Sequence, residues 1–158
     1  MTENIPKILV YGYGNPGRQD DGLGVILTDE LEKWVAGMHL AYVHTDSNYQ
    51  LNLEDAAGIA NYDVVIFADA SKEDIQHFSL VPLEPSEHTE FTMHAVSPAF
   101  VLYLCNQVFN HKPEAYLMHI RGYEWDFMSR LTDKARENLD LALVHLKNFI
   151  LGYSKPEV

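Results

Sequence analysis

The sequence predicts a single α/β domain, with a mostly parallel sheet of about five strands covered by helices on both faces. Three observations carry that prediction. Short apolar, β-rich runs alternate with segments whose apolar residues recur at helical spacing. The chain has 158 residues, enough for one domain with a proper core, and 47 % of them are hydrophobic, which argues against disorder despite the charge. No internal repeat, low-complexity segment or linker interrupts the alternation, so residues 1–158 read as one domain.

The first strand is read at Lys7 to Tyr13, apolar on both faces as a buried parallel strand should be. Gly14-Asn15-Pro16-Gly17 breaks it. A helix is expected from Asp21 to Val35, with Leu23, Leu27, Leu31, Trp34 and Val35 on one face. His39 to Thr45 reads as the second strand. Leu53 to Ala60 reads as the second helix, with Leu53, Ala56, Ala57 and Ala60 grouped. After a turn at Asn61-Tyr62-Asp63, Val64 to Ala68 is the clearest central strand. Phe78 to Leu83 reads as a shorter strand, and Glu84 to Glu90 as irregular. Ser97-Pro98 offers a hydroxyl N-cap and a proline at the first helical position. The helix it starts is expected to bury Val101, Leu104, Cys105 and Val108. Ala115 to Ile120 is the last strand. The last helix is expected from Thr132 to Leu151, burying Leu131, Ala135, Leu139, Leu143, Leu146 and Ile150, with Gly152 as its stop. Tyr153 to Val158 reads as a loose tail.

Lys plus Arg number 11 against 23 Asp plus Glu, a net charge of −12, which disfavours a nucleic acid or an anionic membrane as partner. The single Cys forms no internal disulfide and builds no thiolate metal cage alone. The N-terminus does not read as a signal peptide. The longest stretch without Asp, Glu, Lys or Arg, Phe91 to His111, contains His94, Ser97, Pro98, Asn106 and Gln107, so it does not read as a membrane span. A cytoplasmic protein is expected.

Gly12-Tyr13-Gly14-Asn15-Pro16-Gly17 satisfies G-x-G-x-x-G between a strand and a helix, the place of a dinucleotide-binding loop. A pyrophosphate, however, wants bare N–H groups and a helix N-terminus free of negative charge. Asp20 and Asp21 open this helix, and Pro16 removes a donor. One acid suffices to cap the helix, which leaves the second to face a ligand. Asp69 follows the central strand and also reads as a simple turn former. His94 precedes the Ser97-Pro98 helix start, where a surface or capping role is the ordinary alternative. In an open parallel sheet the carboxyl ends of the strands share one crevice, so Asp21, Asp69 and His94 are expected to converge there. Two oxygens and one nitrogen suit a divalent metal, with nickel, zinc, cobalt and manganese all open on ligand type. Cys105 reads as core, and neither a Gly-x-Ser-x-Gly elbow nor a His-Glu-x-x-His helix is present. For a hydrolase, a metal-polarised carbonyl or water is the chemistry left.

The run from Gly12 to Val25, with its Gly-x-Gly-Asn loop, its acid pair Asp20-Asp21 and the following Gly22-Leu23-Gly24, resembles the N-terminal signature of the [NiFe]-hydrogenase maturation endopeptidases. The similarity continues in the family's order. Gln50-Leu51-Asn52-Leu53-Glu54 is similar to its Gln-Leu-x-Pro-Glu segment. Val65 to Ala70 resembles its Asp-Ala strand, His94 to Pro98 its His-containing helix start, and Ile120 to Glu124 its last strand and turn. The resemblance implies a three-layer αβα sandwich around a twisted sheet. It also implies an endopeptidase that removes the C-terminal extension of a hydrogenase large-subunit precursor after nickel insertion. Asp21, Asp69 and His94 fall on the family's metal-contact positions, the nickel being contributed by the substrate, and Asp21 and Asp69 are the implied catalytic acids. Gly14, Asn15 and Asp20 shape and support the loop and are placed at the substrate-binding surface. The second acid is often Glu in this family and is Asp21 here, and Trp125 to Arg130 lacks a glycine expected before the final helix. A non-catalytic nickel-sensing chaperone and a nucleotide-binding oxidoreductase are the alternative readings.

Overall fold

The computed structural model describes residues 4–88, 96–128 and 130–155. Five strands, β1 (Ile8–Tyr13), β2 (Val43–Asn48), β3 (Val64–Ser71), β4 (Phe78–Pro82) and β5 (Glu114–Arg121), form one sheet in the order β2-β1-β3-β5-β4. All neighbours are parallel except β4, which runs antiparallel to β5. The helices are α1 (Leu23–Met38), α2 (Asp55–Ile59), α3 (Pro98–Phe109) and α4 (Asp133–Gly152), and a 3-10 turn at Gln19–Gly22 precedes α1.

Alternation along the strands divides the core in two. Ile8, Val10, Val64, Ile66, Ala68, Met118 and Ile120 pack with Leu23, Leu27 and Leu31 of α1 and Leu139, Leu143, Leu146 and Ile150 of α4. On the other face Leu9, Tyr11, Val65, Phe67 and Ala115 pack with Ala56 and Ile59 of α2 and Val101, Leu102 and Cys105 of α3. Helices on both faces of a mostly parallel sheet make the expected three-layer αβα sandwich.

Several boundaries differ from the sequence expectation, each for a local reason. His39 does not begin β2. It takes a left-handed conformation (φ 54°) that ends α1, and its N–H bonds the Ala36 carbonyl. In α2 the inward positions are Ala56 and Ile59, and Leu53 stays exposed. The contact face of α3 turns toward Leu102 and away from Val108, so Val108 is exposed rather than buried, while Leu104 packs against the core partly buried. Gly152 is the last residue of α4 rather than a left-handed stop, and Tyr153 closes the helix in a right-handed conformation. The Ser97 cap is as expected, its hydroxyl accepting from the Phe100 N–H at 3.1 Å.

The difference that matters most is at β3. This strand continues beyond Ala68 through Asp69, Ala70 and Ser71, because β5 continues beside it with His119, Ile120 and Arg121 as partners. Asp69 therefore lies within a strand, on the face that carries Val65 and Phe67. The strand order also diverges around β1, whose successor β2 lies on one side and β3 on the other. That divergence opens a crevice at the carboxyl ends of β1 and β3.

Candidate functional site

The loop after β1 is folded back on itself rather than opened as a cradle. Gly14 has φ +137°, and a Cβ there would lie 2.0 Å from the Asp21 carbonyl oxygen. The Gly14 N–H donates to the Asn48 carbonyl at 3.1 Å. The Asn15 N–H donates to Asp21 Oδ2 at 2.8 Å, and Asn15 Oδ1 accepts from the Gly17 N–H at 2.9 Å. The space that a phosphate would need beside these glycines is filled by the chain's own backbone, which argues against the nucleotide reading.

Asp20 has no exposed surface. Its Oδ2 accepts from the Tyr123 N–H (2.7 Å), the Glu124 N–H (3.1 Å) and the Thr132 hydroxyl (2.8 Å), and its Oδ1 from the Thr132 N–H (2.9 Å). A buried carboxylate with four donors is a fixed acceptor. Asp20 has the supporting role expected of it and staples the first loop to the segment between β5 and α4. Gly14 is likewise buried and shapes the loop, while Asn15 is half-buried. Neither acid caps α1, whose N-cap is Gly22 with no side-chain bond.

The close approach of α1 to the sheet brings Asp21 toward Asp69. A Cβ on Gly24 would lie 2.4 Å from the Ala68 carbonyl oxygen and 2.8 Å from that of Tyr13, so only glycine lets α1 start directly over the ends of β1 and β3. Asp21 stands three residues earlier. Its negative charge acts on Asp69, whose pKa is pushed up to about 7, first by burial and then by Asp21. The Ala70 N–H and the Tyr13 hydroxyl act in the other direction. Tyr13 is itself pushed well above its ordinary value by burial and by the Asp69 charge. Among the described residues neither Asp21 nor Asp69 has a salt-bridge partner. Two interacting, partly buried carboxylates with no salt-bridge partner among the described residues form an oxygen donor set suited to a divalent cation.

His94 lies outside the described residues. Among those described, no three His, Cys, Asp or Glu side chains are placed to hold a metal together. Sequence reasoning missed His119, the register partner of Asp69 on β5. It shares the sheet face of Ala115 and Leu117, and burial lowers its pKa while Glu73 opposes that shift. The signal was available: alternation places an imidazole on the core-facing side of an otherwise apolar strand, at its carboxyl end. Glu124 is exposed, and its carboxylate accepts from Gln19 Nε2 at 3.4 Å. A cavity of about 550 Å³ lies away from the acid pair, between α1, β2 and α2, and is lined by Tyr11, Asp46, Asp55 and Tyr62 among others. Cys105 is buried in the core, as expected.

Solved structures share this fold. A [NiFe] hydrogenase maturation protease, HycI from Thermococcus kodakarensis KOD1, superposes with a TM-score of 0.71 over 93 % of this chain and 94 % of that one, at 16 % identity. The hydrogenase maturating endopeptidase HybD from E. coli gives 0.67 over 89 % of each chain, at 22 % identity. A hydrogenase 2 maturation peptidase from a Thaumarchaeota archaeon gives 0.65 over 91 % of this chain and 97 % of that one, at 21 % identity. No protein-family model and no curated protein sequence matches the chain. None of the described helices is long and apolar enough to cross a membrane.

Proposed function

We propose that this chain is a hydrogenase maturation endopeptidase. It removes the C-terminal extension of a [NiFe]-hydrogenase large-subunit precursor once nickel is in place, and it acts in the cytoplasm. The observation that carries the reading is the pair Asp21 and Asp69 in the crevice of this fold. Burial and a like-charged neighbour raise Asp69, and no protein cation relieves either acid among the described residues. Three solved structures with this fold carry names of hydrogenase maturation proteases or peptidases, which supports the same reading.

In this reading the nickel belongs to the substrate. Asp21 and Asp69 supply hard oxygen donors to it, and His94 supplies a nitrogen. The cation's chemistry is Lewis-acid polarisation of the scissile carbonyl or of a water. The acid pair also orients the extension in the crevice, and a carboxylate of the pair, once ionised, accepts the proton of the attacking water. Asp20, Gly14 and Asn15 keep the Asp21 loop in shape.

The test is mass spectrometry of a nickel-loaded precursor mixed with this protein, with and without nickel. Loss of the C-terminal peptide is expected only with nickel, and it is expected to be abolished in Asp21→Asn, Asp69→Asn and His94→Ala. Normal cleavage by all three variants would overturn the proposal. Precursor binding without peptide loss would instead mark a nickel-sensing chaperone.

A further inference from the structure

Four consecutive residues connect the candidate site to a protruding apolar tip. The Arg18 guanidinium stacks 4.6 Å from the ring centre of Phe127. The Gln19 N–H donates to the Met128 carbonyl at 2.7 Å, and Gln19 Oε1 accepts from the Asp126 N–H at 3.2 Å. Asp20 is the buried staple described above, and Asp21 is the site carboxylate. Gln19 is itself buried and adopts φ 48°, a left-handed conformation costly for a residue with a side chain. The backbone is thus held in a strained shape at a residue that hydrogen-bonds the tip.

Phe127 is 83 % exposed and Met128 53 % exposed, although the backbone on either side of Phe127, at Asp126 and Met128, is bonded to Gln19. Arg18 covers one face of the Phe127 ring, and the rest of the ring, left in water, forfeits the stabilisation that burial brings. The tip is too small for self-association. A stable dimer needs about 800 Å² per partner, and here two apolar side chains are bordered by exposed Asp126, Arg130 and Arg18. Its size suits one apolar side chain of an extended peptide. Its attachment to the Asp21 loop suits a peptide that must lie across the acid pair.

We propose that Phe127 and Met128 seat an apolar side chain of the precursor near its scissile bond, and that Gln19 is the positioning residue that keeps this seat in register with Asp21. The proposal rests on the peptidase reading for the identity of the occupant, and its test separates the two. Cleavage kinetics and surface plasmon resonance would be run with nickel-loaded large-subunit precursor. Phe127→Ala is expected to raise KM and Kd about tenfold, a larger change than in kcat, with an unchanged melting temperature. Phe127→Leu is expected to restore most of the affinity. Gln19→Ala is expected to lower kcat as well as raise KM, because it removes the Oε1 bond to the Asp126 N–H that helps tie the tip to the loop carrying Asp21. Unchanged KM and Kd in Phe127→Ala would overturn the seat. So would a wild-type dimer in sedimentation that Phe127→Ala dissociates. A wild-type protein that binds the precursor through Phe127 without trimming it would sink the peptidase reading and still support the seat.

Discussion

At the end of β3, Asp69 holds its proton to about pH 7, whereas an unfolded chain releases it near 3.8. Below 3.8 both states are protonated, and the residue contributes nothing to the pH dependence of stability. Between the two values the folded state binds the extra proton, so stability falls as pH rises, by about 1.4 kcal/mol per unit. Above 7 the loss levels off at roughly 4 kcal/mol. Asp69→Asn keeps the shape and removes the charge. It is therefore expected to raise the melting temperature at pH 8 and to leave it nearly unchanged at pH 4, as read by circular dichroism. A variant no more stable than wild type at pH 8 would remove the burial argument. Asp20 presents the opposite case, a buried carboxylate that the fold satisfies. Asp20→Ala strands the N–H groups of Tyr123, Glu124 and Thr132. It is expected to cost about 3–5 kcal/mol in urea unfolding, and Asp20→Asn less, because the amide oxygen still accepts.

Elements bring these residues together, and the decisive contact is α1 against the sheet. A Cβ on Gly24 would press on the Ala68 and Tyr13 carbonyl oxygens, which belong to backbone and cannot swing aside. Gly24→Ala is expected to destabilise by about 3 kcal/mol or more, and also to weaken divalent-cation binding as Asp21 is pushed from Asp69. Calorimetric titration with nickel at pH 8, set beside the unfolding midpoint, would check both effects. A variant of wild-type stability would mean that α1 does not depend on this approach. Much of this level was legible in the residues. The order of strands and helices, the Ser97 cap and the meeting of Asp21 with Asp69 at one sheet edge all follow from periodicity and topology. What was not legible depends on partners distant in the chain. Nothing local announces that Asp20 bonds Tyr123 and Thr132, that Gln19 accepts a left-handed conformation in order to hold Met128, or that β5 lengthens β3 through Asp69. The early start expected for β2 is a similar case: His39 heads a β-compatible run to Thr45, and its residue type does not announce the left-handed conformation by which it ends α1.

For the whole molecule, charge sets a further expectation. The net charge is −12 at pH 7 and the isoelectric point is about 4.9. The ion pairs among the described residues, such as Arg136 with Glu30 and Asp140, involve partly or largely exposed side chains, so each adds little. Self-repulsion of the excess acids is spread over a molecule with a radius of gyration of about 15 Å. The screening length is about 30 Å at 0.01 M salt and about 8 Å at 0.15 M. At low salt the repulsion therefore acts across the whole molecule, and at physiological salt it acts only between near neighbours. Raising sodium chloride between these limits at pH 8 is expected to raise the melting temperature by a few degrees. Near pH 5 the net charge has vanished, and the same salt step is expected to give no rise, because it then screens mainly the favourable pairs. An equal rise at both pH values would show that salt acts through burial rather than through charge. The design also separates this general effect from the site. Screening by a monovalent salt is expected to leave the Asp69→Asn variant and the wild type shifting in parallel, whereas the proposal that the acid pair takes a divalent cation requires that ion to stabilise the wild type alone.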